Sequence, residues 1–194
     1  MEYVRVLRRI AMSLPGIYLG DVHRSCSRCV VTGLNVLRGV YNMDVHIREL
    51  EKDDYMQYID VIGQLRPVDR CVSKEEFSDV YDAIFKSNKI FVALYDNNIV
   101  GSITLIIEQK FIHKLAIYTR IEDVVVDESH RNNRIGYKLV QHAIDYSNEI
   151  KSFKITLTCK KYLEKFYNRS NFSIYDIHMS QLVDVSSPGE QSCM

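Results

Sequence analysis

The stretch from Ile121 to Val140, IEDVVVDESHRNNRIGYKLV, constrains the fold of this chain more than any other. Two acids lead into an apolar run whose β-branched residues favour a strand, and a polar turn with two arginines follows. The chain then takes up helical spacing around Gly136. A strand that feeds a helix through a tight turn aims the helix's first unpaired N–H groups at one point. Those donors, with the helix dipole, form a ready anion site. Arg131 and Arg134 add positive charge there, and Gly136 lets the backbone approach a ligand closely. Taken alone, such a turn is more often a plain capped helix than a phosphate cradle.

The rest of the chain supplies the setting. DVHIREL (44–50) alternates and predicts a strand, and KDDYMQYIDVIGQL (52–65) carries a helical stripe of Tyr55, Ile59, Ile62 and Leu65. Ser73 with Glu75 and Glu76 predicts an N-cap for a helix running to about Lys86. KIFVALY and IVGSITLIIEQK are strands joined by DNN, small residues that suit a tight hairpin. LAIYTRIEDVVVD is the next strand, 135–149 a helix, FKITLTC (153–159) a strand, KKYLEKFYNRS a short helix and FSIYDIHMSQLV a last strand. Hairpins come first and crossover helices later, so the sheet is expected to be mixed and flanked by helices, of class α+β or α/β.

Composition excludes several classes. The 194 residues suit one buried domain, and 25 basic against 25 acidic side chains give no net field toward nucleic acid or an anionic membrane. No apolar run is long enough for a membrane span. Five cysteines at scattered positions do not read as a disulfide framework; Cys71 and Cys159 are expected to be reduced and buried, which favours a cytoplasmic home. Residues 1–43 hold Arg5, Arg8, Arg9, Arg24, Arg28 and Arg38, no lysine, and only Glu2 and Asp21 as acids. That composition reads as a poorly ordered extension, with an organelle-targeting leader as the alternative. The Cys26/Cys29 pair has no second pair of ligands in range, and the histidines are scattered, so no metal is expected. The expected organisation is an extension over 1–43, one domain over 44–183 and a flexible tail over 184–194.

The order of strand, R-x-x-x-x-G turn, helix, strand and FY on a short helix resembles the GNAT superfamily of acetyl-CoA-dependent N-acetyltransferases. KFIH (110–113), IEDVVVD (121–127), YKLV, FKITLTC, KFYNRSNF (165–172) and the QL of the first helix are similar to the glucosamine 6-phosphate N-acetyltransferase family. The resemblance implies that the pantetheine arm of acetyl-CoA pairs with Val124, Val125 and Val126. The diphosphate would lie on Arg131, Asn132, Asn133, Arg134, Ile135, Gly136 and Tyr137. It assigns Lys110, Phe111, Ile112, His113, Phe153 and Lys154, with Glu122 and Asp123, to an amino-sugar phosphate. Glu122 and Asp123 would orient and deprotonate the acceptor ammonium, and Tyr167 would protonate the departing thiolate. Glu122 has a second reading as an ion-pair partner of Arg120, and Tyr167 one as a core aromatic. The product would be N-acetylglucosamine 6-phosphate, for UDP-N-acetylglucosamine synthesis, made by a homodimer joined through the last strand.

The chain departs from that pattern at particular residues. Asn132 and Arg134 stand where the family's turn carries glycines, Thr158 where an acid is usual, and Leu163 where an asparagine would contact CoA. Arg66 replaces a substrate-binding threonine and is assigned to the substrate side, where it would strengthen phosphate binding or else block the pocket. Leu182 sits near the position where the family has a basic residue that reaches the partner's substrate. These changes leave the CoA half more complete than the acceptor half. A GNAT acting on another small-molecule or peptide amine, or a non-catalytic CoA-binding homologue, are therefore the alternatives.

Overall fold

The structure is a computed structural model that describes residues 43–68 and 71–181. These residues belong to the second of two units into which the chain divides, Val40–Met194. The extension up to residue 42, with its Cys26/Cys29 pair, the tail from 184 and Leu182 lie outside the described residues.

Five strands form one sheet in chain order: β1 (His46–Glu49), β2 (Lys89–Tyr95), β3 (Asn98–Gln109), β4 (Ile117–Val126) and β5 (Lys154–Leu157). The first three pairings are antiparallel and the β4–β5 pairing is parallel, so the sheet is mixed as expected. A parallel neighbour needs a crossover, and the 15-residue helix α3 (Ile135–Glu149) supplies it. Helices α1 (Tyr55–Gly63) and α2 (Lys74–Phe85) precede β2, and α4 (Glu164–Asn168) follows β5. The β2–β3 hairpin turns on Asp96 and Asn97, with φ of 47° and 62°, the left-handed pair that a two-residue turn between twisted strands requires. At α2 the predicted cap is present and reciprocal: Ser73 Oγ accepts from the Glu76 N–H at 3.2 Å, and Glu76 accepts from the Ser73 N–H at 2.9 Å.

The central strands are buried on both faces. Phe91, Ile103, Leu105 and Ile121 pack with Ile135, Leu139, Val140 and Ala143 of α3. On the opposite face Ile90, Val92, Ile99 and Val125 pack with Val61 of α1 and Phe77 of α2. Gly101 lies where β3 passes close under β4. A Cβ there would stand 2.9 Å from the Val125 carbonyl oxygen and 3.2 Å from Leu139.

Two irregularities set β4 apart from the other strands. Thr104 pairs with Glu122 and Ser102 with Val125, so Asp123 and Val124 together oppose Ile103 in a β-bulge, and Asp123 has φ 48°. Pairing with β5 covers only Tyr118 to Ile121. Beyond Ile121 the two strands part, and Glu122–Val126 keeps an open edge on that side.

Three expectations need correction. The strand expected at 172–183 is absent among the described residues up to 181. Its alternating side chains Ile177 and Met179 are 91% and 88% exposed. A strand forms only against a neighbour, and this segment touches the β5 edge through side chains alone. Lys154 stacks 4.0 Å over the Tyr175 ring and lies 3.9 Å from Asp176. The strand expected at 153–159 is shorter, because Thr158 and Cys159 lie past the point of parting. Cys159 is an exposed free thiol, and Cys71 is exposed and disulfide-bonded, where both were expected to be reduced and buried.

Candidate active site

The open edge of β4 is defined group by group through its neighbours. The Asp127 N–H donates to Val100 O at 2.9 Å, toward β3. A planar peptide points its carbonyl the opposite way, so Val126 C=O faces the open side. The Gly101–Val126 and Ser102–Val125 register then turns both polar groups of Val125 toward β3. This leaves Val124 C=O, Val126 N–H and Val126 C=O without a strand neighbour. Arg131 Nε donates to Val126 C=O at 3.1 Å and so covers one of the three. Val125 itself is buried toward α1 and α2; Val124 and Val126 face the cavity beside the edge.

That cavity, about 990 Å³, is bounded by Val124 and Val126, by Arg131, Asn132, Arg134 and the start of α3, and by Leu163, Phe166, Tyr167 and Arg169 around α4. The first intrahelical bond of α3 runs from the Lys138 N–H to Arg134 O at 3.0 Å, so the N–H groups of Ile135, Gly136 and Tyr137 have no helical partner. Gly136 serves packing too: a Cβ there would meet the Phe166 ring at 3.4 Å and Val126 at 3.5 Å. Asn133 does not line the cavity and ties the turn, donating to His130 O at 3.1 Å. Asn132 and Arg134, the two residues standing in place of glycines, have φ of 68° and 60°.

The turn is anchored by the first residue of the QL pair, which the resemblance includes but to which the sequence assigns no role. Gln64, capping α1, donates to the Asp127 carboxylate at 2.8 Å and accepts from the Glu128 N–H at 2.9 Å. With Ser129 and His130 also donating, Gln64 first among them holds Asp127 well below the usual carboxylate range. An amide at the end of a predicted helix gives no sign of this, since its partner lies 63 residues away.

A second cavity, about 490 Å³, lies between β5, α4 and the segment after it, and Thr158, Cys159, Asn168 and Phe172 line it with Arg120 and Lys154. Tyr167 borders both cavities. It is 8% exposed, its ring set edge-on to Phe166 and Phe172 at 4.9 and 6.2 Å. Burial, with Cys159 and Glu122 nearby, pushes its hydroxyl up to about 12, so the phenol is protonated at neutral pH. Tyr167 thus packs in the core and also fronts the site.

The residues expected on the acceptor side fall into two groups. Glu122 and Asp123 lie beside the open edge. Glu122 is ion-paired with Arg120 at 2.9 Å, and Asp123 projects from the bulge toward Tyr58, which burial first and this carboxylate second push up to about 12. Lys110, Phe111, Ile112, His113, Phe153 and Lys154 gather at the other end of β4. There His113 stacks on Phe153 at 4.5 Å, and Lys110 pairs with Glu108. Glu122 is five strand residues beyond Ile117, about 17 Å along β4, yet the two groups are linked within the chain. Glu108 pairs with Lys110 and lies 3.8 Å from Arg120, which holds Glu122, and Lys154 shares the second cavity with Arg120 and Tyr167. Arg66 is exposed and lines neither cavity.

An open strand edge, a helix N-terminus behind it and a tyrosine at their meeting point define an acyl-transfer class of site on this fold. A profile of the Acetyltransferase (GNAT) family matches residues 47–172, and the chain belongs to that family. It is 32% identical over 126 residues to a probable glucosamine 6-phosphate N-acetyltransferase of Drosophila melanogaster, a match covering 62% of this chain and 57% of that one. Less than two thirds of the fly relative is thus spanned. The Arabidopsis thaliana glucosamine 6-phosphate N-acetyltransferase is 29% identical over 144 residues, 71% of this chain and 96% of its own. In solved structures, that plant enzyme superposes with a TM-score of 0.69 at 30% identity, covering 73% of this chain and 99% of the other. An acetyltransferase of Trypanosoma brucei does so with 0.69 at 26% identity, covering 72% and 100%. No described helix is long and apolar enough to cross a membrane.

Proposed function

We propose that this chain transfers acetyl from acetyl-CoA to the 2-amine of glucosamine 6-phosphate, in a ternary complex without an acyl-enzyme. The observation that carries the reading is Tyr167 as the shared wall of two cavities, one beside an open strand edge, the other reaching the face that bears Arg120 and Glu122. The names of the fly and plant relatives support the acceptor. The edge groups of Val124 and Val126 match the amides of a pantetheine arm, as in the addition of a strand. The α3 amides with Arg131 and Arg134 suit a diphosphate.

In the reaction the neutral amine nitrogen attacks the thioester carbonyl, whose electron pair moves onto oxygen. The tetrahedral intermediate collapses with loss of the thiolate, the Tyr167 hydroxyl protonates the sulfur, and the excess proton on nitrogen passes to the Tyr167 phenolate and restores the phenol. A backbone N–H at the β4 edge steadies the oxyanion. Asp123 orients the ammonium and receives its proton. Glu122, held by Arg120, contributes charge beside it. Holding amine and thioester in contact accounts for much of the rate. Lys110, His113, Phe153 and Lys154 act on the sugar phosphate, Lys154 from the second cavity that it shares with Arg120 and Tyr167, and the exposed apolar segment after Phe172 favours a homodimer.

One observation favours another primary amine: Thr158 lines the second cavity where an acid is usual, which removes a charge from the acceptor side. Thiol release from acetyl-CoA by the purified chain tests the proposal. Release with glucosamine 6-phosphate and not with glucosamine supports it. Release only with other amines transfers the assignment to them, and none with any amine overturns both.

A further inference from the structure

Arg169 has no part in the acetyl transfer itself, yet it borders the larger cavity together with Arg131 and Arg134. Its position follows from α4. Phe166 rests against Gly136 at the start of α3, and Arg169, three residues on, shares that side of the helix. The three guanidinium groups are not equivalent. Arg131 is committed to Val126 C=O at 3.1 Å and to Glu128 at 3.3 Å. Arg134 and Arg169 form no ion pair among the described residues. They approach the cavity from different elements, one from the turn before α3 and one from the end of α4.

Coenzyme A carries two anionic groups. Its diphosphate is matched by the unpaired N–H groups of α3 and by Arg131 and Arg134 of the turn before it, and a further unpaired cation from the end of α4 is more than that group requires. We infer that Arg169 binds the ribose 3′-phosphate, and that the chain thereby selects coenzyme A over its 3′-dephospho form. The inference rests on the proposed use of coenzyme A and adds a specificity residue to it. Arg169 is exposed, so its removal leaves the core intact. A guanidinium on a phosphate dianion forms charge-assisted hydrogen bonds, strong enough for discrimination of roughly tenfold or more.

Calorimetric titration of the full chain with coenzyme A and with 3′-dephospho-coenzyme A tests this without turnover. The wild-type chain is expected to bind coenzyme A about tenfold or more tightly than the dephospho form. Arg169→Ala is expected to bring the two affinities within about twofold by weakening coenzyme A alone, and Arg169→Lys to restore part of the difference. Equal weakening of both ligands by Arg169→Ala would assign the residue to the diphosphate and overturn the inference. An unchanged preference would remove Arg169 from the site. A wild-type chain that binds neither ligand would refute the carrier reading itself, whereas one that binds both equally refutes only the 3′-phosphate assignment.

Discussion

Arg134 sits at the N-cap of α3 with φ 60°, a conformation that costs a residue with a Cβ roughly 1 kcal/mol relative to glycine. Asn132, at φ 68°, tolerates that region better through its short polar side chain. The proposed contact of its guanidinium with coenzyme A would explain a strained arginine there. Arg134→Gly should therefore raise stability in urea by up to about 1 kcal/mol while weakening coenzyme A several-fold. A variant that neither gains stability nor loses affinity would show that the turn is not strained and that Arg134 is idle. At Tyr167 the pKa of about 12 lies above the ordinary phenol value, so the proton needed by the leaving sulfur is present throughout the neutral range. Tyr167→Phe is expected to lower kcat by roughly 100-fold with carrier affinity changed less than about twofold. The wild-type kcat should show no alkaline decline owed to this hydroxyl below about pH 11. Full kcat in the variant would make Tyr167 a packing residue only.

Among the elements, β4 does the most. Its bulge turns Asp123 out, and its last residues escape pairing because β5 stops opposite Ile121. Gly101 is what lets β3 stay close beneath this irregular stretch. Gly101→Ala should destabilise the fold by about 1–3 kcal/mol in denaturant titration, because backbone and Leu139 leave no room for a methyl group. A neutral substitution would mean that the strands can part there. Much of this was legible in the sequence. The hairpin residues, the Ser73 cap, the span of α3 and the mixed sheet all follow from local chemistry and periodicity. The parting of β4 from β5 was not legible, since ITLTC reads as unbroken strand and its alternation carries no mark of where the neighbouring strand stops. The last strand failed for the same reason in reverse, since alternation in FSIYDIHM specifies a face and not a neighbour.

For the molecule as a whole, the residues expected on the acceptor side spread along the whole of β4. KFIH lies at its start, while FKITLTC runs beside it as far as Ile121, next to Glu122. Residue types do not reveal distance. The proposed homodimer would set the exposed apolar segment after Phe172 against a second subunit, and sedimentation at micromolar concentration should then give a dimer. Replacing the apolar residues Ile174, Ile177 and Met179 by serine should shift it toward monomer and raise KM for the amine more than for acetyl-CoA. A stable monomer with full activity would show that one chain holds the whole site.

Backbone amide exchange, followed with and without saturating coenzyme A, probes the open edge most directly. The amides of Val126, Ile135, Gly136 and Tyr137 are expected to exchange rapidly in the unliganded chain and to be protected on binding. Coenzyme A that binds tightly and leaves those four amides exchanging at their original rates would contradict it.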